Sequence, residues 1–128
     1  TNFRASAICE IDPAVVIGST DKETHLFRIA QEAVNNALRH GKAREIGIFL
    51  RRISPDECEL RISDNGVGMM SKQAASPGVG LRVMKYRMSL IGGEISVARR
   101  SPKGVNVTCR FPCPETTAPQ KNRRGKSA

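Results

Sequence analysis

Apolar positions along the chain change their period, and each change marks an element. Between residues 20 and 41 they fall at Leu26, Phe27, Ala30, Ala33, Val34, Ala37 and Leu38, three and four residues apart. That repeat gathers side chains on one side of an α-helix, so one face is predicted to be core. Thr20 followed by Glu23 has capping-box spacing and Gly41 closes the stretch, which predicts a helix of about twenty residues from near Asp21 to His40. Elsewhere the period is two. Phe3 to Ile11 alternates loosely ahead of Asp12-Pro13 and predicts a strand. Residues 45–53 predict a second strand. Cys58, Leu60 and Ile62 alternate with polar neighbours in a third, which runs directly into Asp64-Asn65-Gly66. Ser54-Pro55-Asp56-Glu57 reads as the turn that makes these two a hairpin.

Residues 69–77 hold no period and end in breakers, which predicts a mobile loop. Leu81, Met84, Met88 and Ile91 then return to helical spacing, and Gly92-Gly93 ends that second helix. Ile95 and Val97, then Val105, Val107 and Cys109, predict two more strands joined at Ser101-Pro102-Lys103-Gly104. Two long helices and about five clustered strands predict an α/β two-layer sandwich of the α+β kind.

At 128 residues the chain is the size of one domain. Residues 1–114 are expected to fold, and the Pro- and Thr-containing stretch 115–128 to form a basic, disordered tail. No apolar run approaches the roughly 20 residues of a membrane span, and the N-terminus lacks the pattern of a secretory signal, so a cytoplasmic location is expected. Cys9, Cys58, Cys109 and Cys113 lie mostly in apolar, strand-like segments with no C-x-x-C, which predicts buried free thiols. A disulfide or metal between Cys109 and Cys113 is the alternative.

The formal charge of +9 invites a nucleic-acid reading. Four of the cations, Lys121, Arg123, Arg124 and Lys126, sit in the last eight positions, and removing residues 115–128 leaves +6. With no Trp and one Tyr the chain has almost no base-stacking side chains. A nucleotide would account for the basic surface equally well, and no specific nucleic acid is expected.

Three segments can carry chemistry. Glu32, Asn36 and His40 follow one another in steps of four, a single stripe bordering the apolar face of the first helix. An Asn carbonyl is a neutral oxygen ligand suited to completing the shell of a Mg²⁺ already held by phosphates. A carboxylate one turn away can orient a water of that shell, and an imidazole can donate to phosphate. The same stripe also suits a solvated helix border, although Asn35-Asn36 is a poor pair for a helix interior. In Asp64-Asn65-Gly66-Val67-Gly68 a strand-end carboxylate can accept from an exocyclic amine while glycines let a flat ligand approach. Asn-Gly is equally a common turn. Gly78-Val79-Gly80 opens a helix, as phosphate sites do, but Val83 stands where a Rossmann fingerprint needs its third glycine, and no Walker motif occurs.

In their order and spacing these segments resemble the N, G1 and G2 boxes of the Bergerat-fold ATPases. Phe27-Arg28-Ile29-Ala30-Gln31-Glu32-Ala33-Val34-Asn35-Asn36-Ala37-Leu38-Arg39-His40 closely resembles the N box of sensor histidine kinases that pair with NarL-type response regulators. Gly78-Val79-Gly80-Leu81-Arg82-Val83-Met84-Lys85-Tyr86-Arg87-Met88 with Gly92-Gly93-Glu94 does likewise, and the resemblance spans roughly residues 3–112. It implies the Bergerat ATP-binding fold, with a mixed, mainly antiparallel sheet covered on one face by helices. It implies that Asp64 receives the adenine amino group, that Asn36 completes the Mg²⁺ shell, and that Glu32 is the catalytic acidic residue near the γ-phosphate. Gly66, Gly68, Gly78 and Gly80 would frame the nucleotide, with Asn35, Met69, Val79 and Leu81 beside it and His40 and Lys42 as further phosphate contacts.

The implied cofactors are ATP and Mg²⁺. The implied partners are a helical dimerisation and phosphoacceptor domain of the same dimeric protein, and a response regulator; membrane anchoring of the parent is compatible. His25 precedes the N box on its own helix and does not match the usual phosphoacceptor. Gly104 is followed by Val105, where the family commonly has Thr. An anti-sigma-factor type serine kinase and a non-catalytic adenine-nucleotide-binding or docking module are the alternatives.

Overall fold

The computed structural model describes residues 5–67 and 79–115. Along the chain these form β1 (Ser6–Ile11), α1 (Thr20–Arg39), β2 (Glu45–Ser54), β3 (Glu57–Asp64), α2 (Val79–Leu90), β4 (Glu94–Arg99) and β5 (Val105–Pro112). The expected loop over 69–77, residues 3 and 4 of the expected first strand, and the tail beyond residue 115 lie outside the described residues.

The strands make one sheet in the order β1-β2-β3-β5-β4. β1 runs parallel to β2, and every other neighbouring pair is antiparallel. β2 and β3 form the expected hairpin, tightened to Pro55-Asp56 between strand ends Ser54 and Glu57. The Arg52 guanidinium fastens this corner, donating to the carbonyls of Ala14 at 3.0 Å, Pro55 at 2.7 Å and Pro114 at 2.8 Å.

Alternation divides the sheet into two faces. Ile46 of β2, Cys58, Leu60 and Ile62 of β3, and Val107, Cys109 and Phe111 of β5 meet Leu26, Ile29, Ala33 and Ala37 of α1 and Met84 and Met88 of α2 in one core. The opposite face is polar. There Glu59 lies buried between Arg51 at 3.0 Å and Arg110 at 3.5 Å, and the Arg61 guanidinium stands 5.4 Å from the Phe49 ring centroid. This is the expected two-layer arrangement, with the described helices on one face.

The start of α1 differs in detail from the pattern, whereas the end of α2 follows it. Ser19, in extended backbone, is the N-cap of α1 and accepts the Lys22 N–H at 3.1 Å; Thr20 is already the first helical residue. The cap therefore lies one position before the expected Thr20, and with Lys22 at the third helical position it is a single side-chain cap and not the expected Thr20 to Glu23 box. α2 ends with the Gly93 N–H on the Met88 carbonyl at 2.9 Å and the Gly92 N–H on Ser89 at 3.2 Å, the paired bonds of a Schellman motif.

Two burial expectations fail for one geometric reason. α1 lies over β2 and β3, so the centre of its buried face is Ile29 and Ala33, and Phe27, about 120° round the helix from Ala33, is 61% exposed. β1 lies beyond the helix at the sheet edge, all six of its residues are exposed, and Cys9 is exposed with them. The other three cysteines are buried free thiols as expected, with the Cys113 side chain meeting Cys58. Burial, reinforced by that neighbouring thiol, pushes Cys58 up to about 12, and burial alone pushes Cys109 up to about 12, so both are unreactive at neutral pH.

Phe111 is 0% exposed. Phe111→Ala should therefore lower the unfolding free energy by about 3–5 kcal/mol, while Phe27→Ala should change it by less than about 1 kcal/mol, both read from urea denaturation. Comparable losses at the two positions would show that Phe27 is core after all.

Candidate functional site

The site is built where the end of α1 meets the end of β3. After Arg39 the chain leaves the helix with the His40 and Gly41 N–H groups both on the Asn36 carbonyl, each at 3.0 Å, and the Ala43 N–H on Ala37 at 2.9 Å. Lys42 takes a left-handed conformation with φ 54°, which turns the chain into β2. The loop after β3 docks on this exit. The Val67 N–H donates to the Gly41 carbonyl at 2.7 Å, and Gly66 lies so close to the Gly41 backbone that a Cβ there would overlap its carbonyl oxygen.

Asp64 closes β3 and is only 6% exposed. Its Oδ1 accepts the Gly66 N–H at 2.8 Å, and the carboxylate also accepts the main-chain N–H of Val105 on the paired strand. Burial raises the Asp64 pKa above its usual value of 3.8; the Gly66 and Val105 N–H groups and the Arg100 guanidinium pull it back down in part. Gly104, at φ 113°, passes against the Asp64 carbonyl with no room for a side chain. Because Val105 serves Asp64 through its main chain, the expected loss of a polar side chain at this position does not disturb the carboxylate. The Val105 side chain packs against the core instead.

Glu32 and Asn36 share the α1 face that turns toward α2, and both are half-buried. The Glu32 carboxylate touches Gly80, occupying the space a Cβ there would need. The first turn of α2 carries no acidic residue of its own, so Glu32 supplies negative charge beside a helix N-terminus that favours it. Neither the Glu32 carboxylate nor the Asn36 carboxamide makes a hydrogen bond or ion pair with another described residue.

Of the residues expected from sequence, Gly66 thus packs on Gly41 just past α1 and holds Asp64 beside it, while Glu32 touches Gly80 and lies one turn from Asn36 on α1. Asn35, His40 and Lys42 are exposed, Leu81 packs half-buried against the core, and Val79 opens α2. Gly68, Met69 and Gly78 lie outside the described residues. His25 is engaged elsewhere. Its Nδ1 accepts from the Arg87 guanidinium at 3.0 Å and links the start of α1 to the end of α2.

Asn65, Gly41 and Arg100 are not among the residues expected in the site. Asn65 carried a signal, since the Asn-Gly turn does not lead back into a strand. Arg100 carried none, because its relation to Asp64 depends on β4 pairing beyond β5.

A family profile described as histidine kinase-, DNA gyrase B- and HSP90-like ATPase matches residues 21–115. By sequence the chain is 39% identical over 90 residues to the sensor histidine kinase LiaS of Bacillus subtilis (strain 168), covering 70% of this chain and 25% of that protein. It is 33% identical over 93 residues to the nitrate/nitrite sensor protein NarX of Escherichia coli (strain K12), covering 73% and 15%. The chain therefore spans a quarter or less of these relatives. Its fold is similar to the ATP-binding domain of PrrB from Mycobacterium tuberculosis, with TM-score 0.67, 24% identity and coverage of 85% of this chain and 82% of that one. It is similar also to full-length ShkA in complex with AMPPNP, with TM-score 0.72, 17% identity and coverage of 91% and 27%.

The buried, ionised Asp64 weakens the ligand-free fold. A carboxyl whose folded pKa lies above its unfolded 3.8 binds its proton better when folded, so stability falls as pH rises from 3.8 through the raised value. Asp64→Asn should accordingly melt at a higher temperature than the parent at pH 7, with the difference closing as pH falls toward 3.8. A lower melting temperature at pH 7, measured by circular dichroism without nucleotide, would contradict the burial argument.

Proposed function

Because this chain belongs to the histidine kinase-, DNA gyrase B- and HSP90-like ATPase family, we propose that it binds Mg²⁺-ATP along the C-terminal half of α1 as the catalytic ATP-binding domain of a sensor histidine kinase. The whole protein then passes the γ-phosphoryl group to a histidine on a separate helical dimerisation domain, and onward to a response regulator of the NarL type. What supports this is one observation. The loop carrying the buried Asp64 carboxylate is docked on the end of the helix that presents Asn36 and Glu32, so an acceptor for an amine and oxygen donors for a metal share one edge of the fold. The relatives' names favour a histidine kinase over the serine-kinase alternative.

The donors fit a magnesium ion that arrives with its nucleotide. They are oxygens, one neutral amide and one carboxylate, and no cluster of three or more His, Cys, Asp or Glu among the described residues would cage a metal unaided. When bound, Mg²⁺ neutralises charge on the phosphate oxygens. Asp64, held acceptor-side out by Gly66 and Val105, receives the exocyclic amine of adenine. Asn36 offers its carbonyl oxygen to the metal, and Glu32 orients a group beside the γ-phosphate. Positioning and electrostatics make up nearly all of phosphoryl-transfer catalysis, so the module needs no nucleophile of its own. Among the described residues no helix is long and apolar enough to cross a membrane. We place the domain on the cytoplasmic side, where ATP is supplied.

Calorimetric titration with ATP, with and without Mg²⁺, tests the assignment. Asp64→Asn should weaken ATP binding by about tenfold or more whether or not Mg²⁺ is present, because an amide nitrogen is offered where an acceptor is required. Asn36→Ala should abolish most of the increase in affinity that Mg²⁺ confers and leave metal-free binding near the parent value. An Asn36→Ala loss of the same size without Mg²⁺ would remove the metal role.

A further inference from the structure

Asp64 can grip a purine only as firmly as its loop is held, and much of that hold comes from the next residue. The Asn65 carboxamide oxygen accepts the main-chain N–H of Arg44 and that of Glu45, each at 2.9 Å, while the Asn65 N–H donates to the Glu45 carbonyl at 3.2 Å. Gly66 and Val67 then rest on Gly41. Residues 41–45 follow directly from the last turn of α1, where the Asn36 carbonyl takes the His40 and Gly41 N–H groups. An unbroken chain of contacts therefore runs from the Asp64 loop, through Asn65, to the helix turn that carries Asn36.

We propose that Asn65 is a positioning residue for Mg²⁺-ATP: its clasp on the Arg44 and Glu45 amides fixes the separation between Asp64 and Asn36, so that one nucleotide engages both together. This rests on the assignment of those two residues to the two ends of the nucleotide site. The geometry asks for one sp² oxygen on a short side chain. Asn and Asp provide it, Ala has no acceptor, and Gln carries its oxygen one methylene too far. A ligand touching both ends gains from their fixed separation as a linked pair does, whereas a ligand touching one end is indifferent to it. Adenosine meets only the Asp64 end, and Mg²⁺-ATP meets both.

Titrations of the full 128-residue chain with adenosine and with Mg²⁺-ATP separate these cases. Asn65→Ala should weaken Mg²⁺-ATP by about tenfold and adenosine by less than about threefold, and Asn65→Asp should restore Mg²⁺-ATP binding to within about threefold of the parent. Should Asn65→Ala fail to fold, Asn65→Gln carries the same expectation as Ala. An equal loss of both ligands means that Asn65 merely folds the Asp64 loop and overturns the inference. So does no loss of either, or a failure of Asn65→Asp to restore. If the unaltered chain binds neither ligand, the kinase assignment itself falls and takes this inference with it.

Discussion

A single main-chain hydrogen bond joins the two layers of this protein at the point that matters: the Val67 N–H on the Gly41 carbonyl, at 2.7 Å. Asp64 belongs to the sheet and Asn36 to the helix layer, and packing of apolar side chains alone would fix their separation only loosely. The last carbonyls of a helix need partners, and partners that come from another element tie that element to the helix end. Here Gly41 supplies the acceptor just past the helix, and Gly66 permits the approach because no side chain stands between the two backbones. The left-handed turn at Lys42 then sends the chain straight into β2, whose first residues hold Asn65. Each of these steps requires the one before it.

The sheet positions Asp64 in the other dimension. Its register sets Asp64 opposite Ile46 on one side and Val105 on the other, so the carboxylate sits between two paired strands and takes the Val105 N–H. Taking a carboxylate out of water is unfavourable, and the main-chain donors and Arg100 offset only part of that. The balance comes from the core behind it, where Phe111, Ile29, Ile62 and Met88 are fully buried. A well-packed core thus carries a polar group that contributes nothing to folding. The open face makes the opposite arrangement, burying Glu59 only with two arginines beside it. Asp64 has no such ion pair at hydrogen-bond range among the described residues.

Much of this was legible in the chain because local rules and tertiary demands agree. Period two and period three-to-four predicted all five strands and both helices, and turn chemistry predicted the β2–β3 hairpin. Legibility ended where a residue's surroundings come from distant chain. Phe27 satisfies the helical pattern as well as Ile29 does, and only the placement of α1 over β2 and β3 decides that one is exposed and the other buried. Cys9 alternates as a half-buried strand residue should, yet β1 is an edge that no helix covers. The N-cap fell one residue before the expected one because Ser19 and Thr20 are chemically equivalent caps, and the choice between them lies in backbone geometry. In the site, the spacing of Glu32 and Asn36 and the Asp64 glycine turn were visible. The clasp made by Asn65 was not, since its partners at 44 and 45 lie about twenty residues away.

The two histidines argue for a division of labour within the parent protein. His25 is held between the helices by Arg87, and the guanidinium, a donor only, requires Nδ1 to be the acceptor. That bond pins the start of α1 to the end of α2, at the opposite end of the helix pair from the Glu32 and Gly80 contact. A phosphoacceptor has to stand in line with the γ-phosphate, and on the proposed nucleotide site a side chain held at the far end of the helix pair does not. His40, exposed past the last turn of α1, follows Asn36 by one turn and so lies along the same helix side as that residue. On the proposed function the domain presents a nucleotide, and the acceptor in line with it comes from another element of the parent protein. The chain spans a quarter or less of LiaS and NarX, which leaves ample sequence in such proteins for that element.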